Sequence, residues 1–184
     1  MRNNVTLTGI MGAGKSRVAD TLVANGWEVF KMAAPLKEIV EASFLLEAGD
    51  LEGIKGEVIR FTHTPMGHAK TLTTGILEHM DFSTFGADAR INSESARTMP
   101  IPSLGGVSGE QMVFEIKDLL DELLTLEGTY RQLLQRLGTE LMRTWNPDIH
   151  IEFARQALKT KKAPQVIDDA RFENELKFVR EEMQ

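Results

Sequence analysis

The chain has 184 residues, 42% of them hydrophobic, enough to bury a sizeable core within one domain. It contains no cysteine, which excludes a disulfide framework and thiolate metal sites and suits a reducing compartment. Lys and Arg total 21 against 27 Asp and Glu; the net charge of −6 argues against broad electrostatic binding to nucleic acid and leaves room only for a local basic groove.

Met1-Arg2-Asn3-Asn4 runs directly into the first apolar segment, so no leader peptide is expected. No apolar run approaches the roughly 20 residues needed to span a bilayer, and the expected location is the cytoplasm. Val5-Thr6-Leu7 reads as a short strand. It leads into Gly9-Ile10-Met11-Gly12-Ala13-Gly14-Lys15-Ser16, which fits the pattern G-x-x-x-x-G-K-[ST] of phosphate-cradling loops. Each residue type has a separate reason there. Gly9 and Gly14 permit turns without a Cβ, so that successive backbone N–H groups converge on phosphate oxygens. Lys15 is placed to reach the β- and γ-phosphates, and the Ser16 hydroxyl to ligate Mg²⁺. Arg17 to Val23 reads as a helix, with Val18 and Leu22, and Ala19 and Val23, at i, i+4 spacing; its N-terminal amides then face the phosphates. The expected nucleotide-binding set is Gly9, Gly12, Ala13, Gly14, Lys15, Ser16 and Arg17, with ATP and Mg²⁺ as cofactors.

Asn25-Gly26 is a stop signal, and Trp27 to Met32 alternates as a second strand does. Pro35 opens a helix whose apolar face is Leu36, Ile39, Val40 and Phe44, ending before Gly49. From Gly49 to Gly109 the period is lost among Gly53, Gly56, Gly67, Gly75, Gly86 and a run rich in Gly and Pro. So long an irregular stretch is read as an insertion, residues 49–110, covering the active site; for residues 92–109 a disordered surface excursion is the alternative.

Order returns with Met112, Val113, Ile116, Leu119, Leu120, Leu123 and Leu124, a core-facing helix whose acidic residues Glu115, Asp118, Asp121 and Glu122 read as a solvated face. After Gly128, Tyr130 to Arg143 places Leu133, Leu134, Leu137 and Leu141 on a buried side. Gln132, Arg136, Thr139 and Arg143 fall on another, either a clamp for a phosphate and base or simply solvated. Pro147 starts a helix running to about Thr160, with Lys159, Lys161 and Lys162 near its negative end. Gln165-Val166-Ile167 is a buried strand ending in Asp168-Asp169, and residues 174–182 form a final helix. The acids at the strand end either hold Mg²⁺ beside Ser16 or cap that helix. His63, His68, His79 and His150 lack metal-ligand spacing.

Four segments together, Gly9 to Ser16, Phe30 to Lys37, Arg131 to Arg143, and Val166-Ile167-Asp168-Asp169-Ala170-Arg171-Phe172-Glu173-Asn174-Glu175, resemble the phage-type deoxynucleoside monophosphate kinases, a branch of the P-loop nucleotide kinases. The resemblance implies an α/β fold over residues 1–184: a three-layer P-loop kinase with a parallel sheet, flanking helices and the 49–110 insertion as a cap. It implies transfer of the γ-phosphoryl group of ATP to a deoxynucleoside 5′-monophosphate, in host cytoplasm if phage-encoded. It suggests Lys15, Asp169 and Arg171 as catalytic residues, with Ser16 and Asp169 at the metal. Lys37, Arg131, Gln135, Arg136, Thr139 and Arg143 become acceptor-site candidates. His150 and Ala34 depart from the pattern, and the sequence stops in a helix without the further strand such a sheet normally receives. The partner expected is a small nucleotide, with neither a nucleic-acid strand nor a membrane, and a homodimer as an open option. Two other readings are a kinase acting on a hydroxymethylated base within DNA and a non-catalytic nucleotide-binding module.

Overall fold

The computed structural model describes residues 4–8, 14–80 and 98–183. The chain is mixed α/β, mostly helical, with one small parallel sheet. It divides into two compact units, residues 1–35 with 150–184, and residues 36–149.

In the first unit, β1 (Val5–Thr6), β2 (Glu28–Phe30) and β3 (Gln165–Ile167) make a sheet of order β1-β3-β2. Both pairings are parallel, with Thr6 opposite Ile167 and Phe30 opposite Ile167. The central strand is buried at all three residues, the condition under which a parallel strand reads as a continuous run without alternation. α1 (Lys15–Ala24) ends where Asn25-Gly26 predicts: Gly26 sits at φ +86°, and Gly26 N–H donates to Val23 O at 3.0 Å. Its apolar spacing is only partly used, since Ala19 is buried while Val18 and Val23 are exposed. The second strand is shorter than the alternation of residues 27–32 suggests, because Met32 and Ala33 turn away to bond a side chain described below. α8 (Ile149–Lys159) and α9 (Glu173–Glu182) complete the unit. Their apolar faces meet the sheet in a core of Phe30, Met32, Ile151, Ala154, Ile167, Phe178, Val179 and Met183.

The second unit is helical. α2 (Ala34–Ser43) enters it at Leu36, followed by α3 (Asp50–Ile54), α4 (Pro65–Glu78) and α5 (Gly109–Thr125). Next come α6 (Tyr130–Gln135), a π-helical turn (Arg136–Leu141) and α7 (Met142–Trp145). Two expectations are corrected here. Residues 65–78, read as aperiodic, form a helix packed on α5 that buries His68, Ala69, Leu72, Thr73 and Ile76. That face has the helical period, but small and polar residues carry three of its five positions. Residues 98–109 are folded as well, with Ile101 paired to Val107 and both Ile101 and Leu104 buried, so the excursion reading fails for them; residues 92–97 lie outside the described residues. α2 and α4 approach so closely that a Cβ on Gly75 would lie 2.9 Å from Ile39 Cγ2.

His68 ties this unit together. Its ring is fully buried, stacks on Phe44 at 4.1 Å and 10°, donates from Nδ1 to Ser43 O at 2.9 Å, and accepts His63 N–H at Nε2 at 3.1 Å. Burial pushes its pKa down, and the neighbouring His63 adds to that.

Candidate functional site

The strand before the glycine-rich motif and the helix after it lie in the first unit. Gly9, Gly12 and Ala13 lie outside the described residues, so the loop is described from Gly14 onward. Gly14 holds the left-handed conformation at φ +79°, which an L side chain adopts only with strain. It is the N-cap of α1, and no side chain among the described residues caps that end. The first amides of a helix have no partner in the helix itself, and with the helix dipole they favour an anion. Lys15 is half-buried there, and Ser16 and Arg17 are exposed on the first turn.

β3 brings the acids to the same edge. Leu7 N–H donates to Ile167 O at 2.7 Å, so Asp168 and Asp169 follow directly where β1 leaves for the loop. The two carboxylates are in different states. Asp169 accepts Met32 N–H at Oδ1 (2.8 Å) and Ala33 N–H at Oδ2 (3.3 Å), fixing the turn between β2 and α2. Its burial raises its pKa, which those two amides oppose and the Asp168 charge reinforces. Asp168 Oδ1 is withdrawn from solvent and accepts no hydrogen bond from the described residues.

Neither acid caps the last helix, which corrects the alternative weighed from sequence. Glu175, buried, does so: its Oε2 accepts Arg171 N–H at 2.8 Å and Phe172 N–H at 3.2 Å. Sequence reasoning gave Glu175 no role, although a Glu three residues after the residue preceding a helix is a recognisable N-terminal signal. Through those amides Glu175 sets the backbone that presents the exposed Arg171.

The acceptor candidates lie in the second unit, and the structure divides them. Arg131, Gln135 and Thr139 are exposed. Arg136 is taken up by acids, with Nη2 2.6 Å from Glu122 and Nε 3.7 Å from Glu140. Lys37 pairs with Glu52, which Lys55 also contacts; the two ammonium groups, Lys37 first, hold the Glu52 carboxyl down at about 2. Arg143 donates from Nη1 to Pro147 O at 2.9 Å. Gln132 is spent on a capping box with Thr129. The expected polar stripe is therefore not assembled as spaced. The π turn adds a residue per turn: Leu133 and Leu137 are followed on the buried side by Met142, while Leu141 is only half-buried. The acidic face of α5 is likewise partly engaged, Glu122 by Arg136 and Glu115 by Trp145 Nε1 at 2.7 Å.

Among the described residues no three His, Asp or Glu side chains converge as a ready-made metal cage, and no helix is long and apolar enough to cross a membrane. The chain matches no family model and no curated protein sequence.

Proposed function

We propose that this protein is a P-loop kinase of three-layer α/β type that transfers the γ-phosphoryl group of ATP to a free deoxynucleoside 5′-monophosphate. The observation that carries the reading is the pairing of two features on one parallel sheet edge. Gly14-Lys15-Ser16 opens the first helix after β1, which no described side chain caps, and the neighbouring β3 ends in Asp168-Asp169, with Arg171 two residues on. A glycine turn with an ordinary surface lysine does not require acids and an arginine beside it.

In the reaction an oxygen of the acceptor phosphate attacks the γ-phosphorus, the bond from that phosphorus to the β–γ bridging oxygen breaks, and ADP leaves with the electron pair. Lys15 and the α1 amides neutralise charge on the β- and γ-phosphates, and Arg171 stabilises the group in transfer. Magnesium bound with the nucleotide supplies further charge neutralisation. The residues present fit it: Mg²⁺ keeps most of its waters and takes only one or two protein oxygens besides the phosphates, here Ser16 and a strand-end carboxylate, one of whose oxygens is buried and has no partner among the described residues. Arg131, Gln135 and Thr139 are the acceptor candidates with exposed side chains; Arg143 also donates to a carbonyl, and Lys37 and Arg136 would have to exchange their carboxylate partners for a phosphate. The net charge of −6 suits one monophosphate better than the long phosphate track of a nucleic acid, whose binders spread many cations along it.

Incubation with ATP, Mg²⁺ and each of the free deoxynucleoside monophosphates, followed by chromatography of the products, tests the proposal. A deoxynucleoside diphosphate formed mole for mole with ADP supports it. ATP binding without turnover on any acceptor points instead to the non-catalytic module.

A further inference from the structure

Two adjacent carboxylates end the central strand, and their surroundings assign them different work. Asp169 uses both oxygens on backbone: Oδ1 accepts Met32 N–H at 2.8 Å and Oδ2 accepts Ala33 N–H at 3.3 Å. Those donors belong to the turn after β2, so the side chain is committed to the β2 side of the sheet, where it fixes the start of α2. A carboxylate held by two amides is a brace. Each oxygen keeps a second lone pair, but the two bonds fix the direction in which the carboxylate faces.

Asp168 is the contrary case. Its Oδ1 is buried and has no hydrogen-bond partner among the described residues. Native proteins pair nearly all buried polar atoms, and an exception calls for an explanation such as an ion or a water. Position supplies one. The two amides that hold Asp169 bond neither oxygen of Asp168. Ile167, the residue before it, is the partner of Thr6 and accepts Leu7 N–H at 2.7 Å, which puts Asp168 beside the point where β1 departs toward Gly14, Lys15 and Ser16. A hard divalent cation with one or two carboxylates, the nucleotide phosphates and several waters is the ligand such an oxygen suits. A cation there also relieves the repulsion between the two neighbouring acids.

From these contacts we infer that Asp168, and not Asp169, is the carboxylate that faces the divalent cation of the bound nucleotide, with Asp169 as a positioning residue for the β2–α2 turn. The inference rests on the kinase reading above, and its test separates the two.

ATP binding is measured calorimetrically with excess Mg²⁺ and with EDTA, for wild type, Asp168→Asn, Asp169→Asn and Lys15→Ala, and each variant's melting temperature is recorded. Wild type binds ATP more tightly with Mg²⁺. Asp168→Asn loses at least about tenfold of that Mg²⁺-dependent gain, the scale of losing a group that holds or orients a metal's ligands, and keeps its affinity in EDTA. Asp169→Asn keeps the gain and melts earlier. The inference is overturned if Asp168→Asn retains the gain, or if Asp169→Asn loses it while melting like wild type. Should Asp168→Asn melt early itself, Asp168→Cys read with Cd²⁺ in place of Mg²⁺ replaces it: tightening by Cd²⁺ beyond that of wild type supports the contact, and its absence overturns it. If wild type binds no ATP in either condition, or Lys15→Ala binds as well as wild type, the kinase reading fails and takes this inference with it.

Discussion

The buried histidine of the helical unit gives a prediction with both a size and a sign. His68→Phe keeps an aromatic ring to stack on Phe44 but deletes the hydrogen bonds of the imidazole, leaving Ser43 O, His63 N–H and the exposed Thr62 Oγ1 without that partner. Ser43 is buried, so its carbonyl bears a full desolvation penalty of about 1–3 kcal/mol; His63 is exposed, and water replaces its bond at little cost. At pH 7.5 the variant should therefore be less stable by about 1–3 kcal/mol. The gap must shrink in acid. The folded-state pKa of His68 is lowered, so the stability it contributes is present above the unfolded value near 6.5 and is lost as pH falls through the folded value. Protonation would put a second donor on Nε2 against His63 N–H, with the His63 ring 5.5 Å away as the other titrating group. Linkage gives at most about 1.4 kcal/mol between pH 7.5 and 5.5, and the phenylalanine variant has no such loss from this position. Urea unfolding of both proteins at the two pH values measures it. A stability difference that stays constant or widens on acidification would refute the assignment of a buried, neutral His68.

Three further outcomes follow from the same geometry. Gly75→Ala should lower stability by about 1–3 kcal/mol by thermal melt, since the added methyl lies 2.9 Å from Ile39 Cγ2 in the α2–α4 contact. Acid should weaken the Lys37–Glu52–Lys55 cluster only far below neutrality: the lowered Glu52 pKa means its contribution is complete above about 4.5 and fades toward about 2, so Glu52→Gln should leave the pH 5–8 stability profile unchanged in shape, and a new inflection there would count against the pairing. Arg171→Ala should reduce kcat by about a thousandfold or more in steady-state assays while ATP affinity shifts little, because its charge matters only for the group in transfer.

Much of the first unit was legible in the sequence because its signals are local. Val166-Ile167 is a short apolar run between a proline and two acids, and Asn25-Gly26 marks a helix end whatever surrounds it. α4 is hidden from a hydrophobic period, although Thr64 caps it through Gly67 N–H and Pro65 stands at its first turn. Its buried face includes His68, Ala69 and Thr73, which a hydrophobic period does not register, and Gly67 and Gly75 look like breakers when one serves close packing. The π turn was invisible for a different reason: i, i+3, i+4 arithmetic presumes 3.6 residues per turn, and the extra residue that seats Met142 in place of Leu141 leaves no mark in composition. The roles of the two strand-end acids depend on donors 136 and 137 positions away in the chain, at Ala33 and Met32, so Asp168-Asp169 could be recognised as a pair but not told apart.

Kinase activity is tested most directly by transfer of labelled γ-phosphate from ATP, run in parallel on free deoxynucleoside monophosphates and on oligonucleotides with and without hydroxymethylated bases, using wild type and Lys15→Ala. Label is expected in one or more free nucleotides, none in any oligonucleotide, and none with Lys15→Ala although that variant melts like wild type. Label appearing only in the modified oligonucleotide, or undiminished transfer by Lys15→Ala, would contradict this expectation.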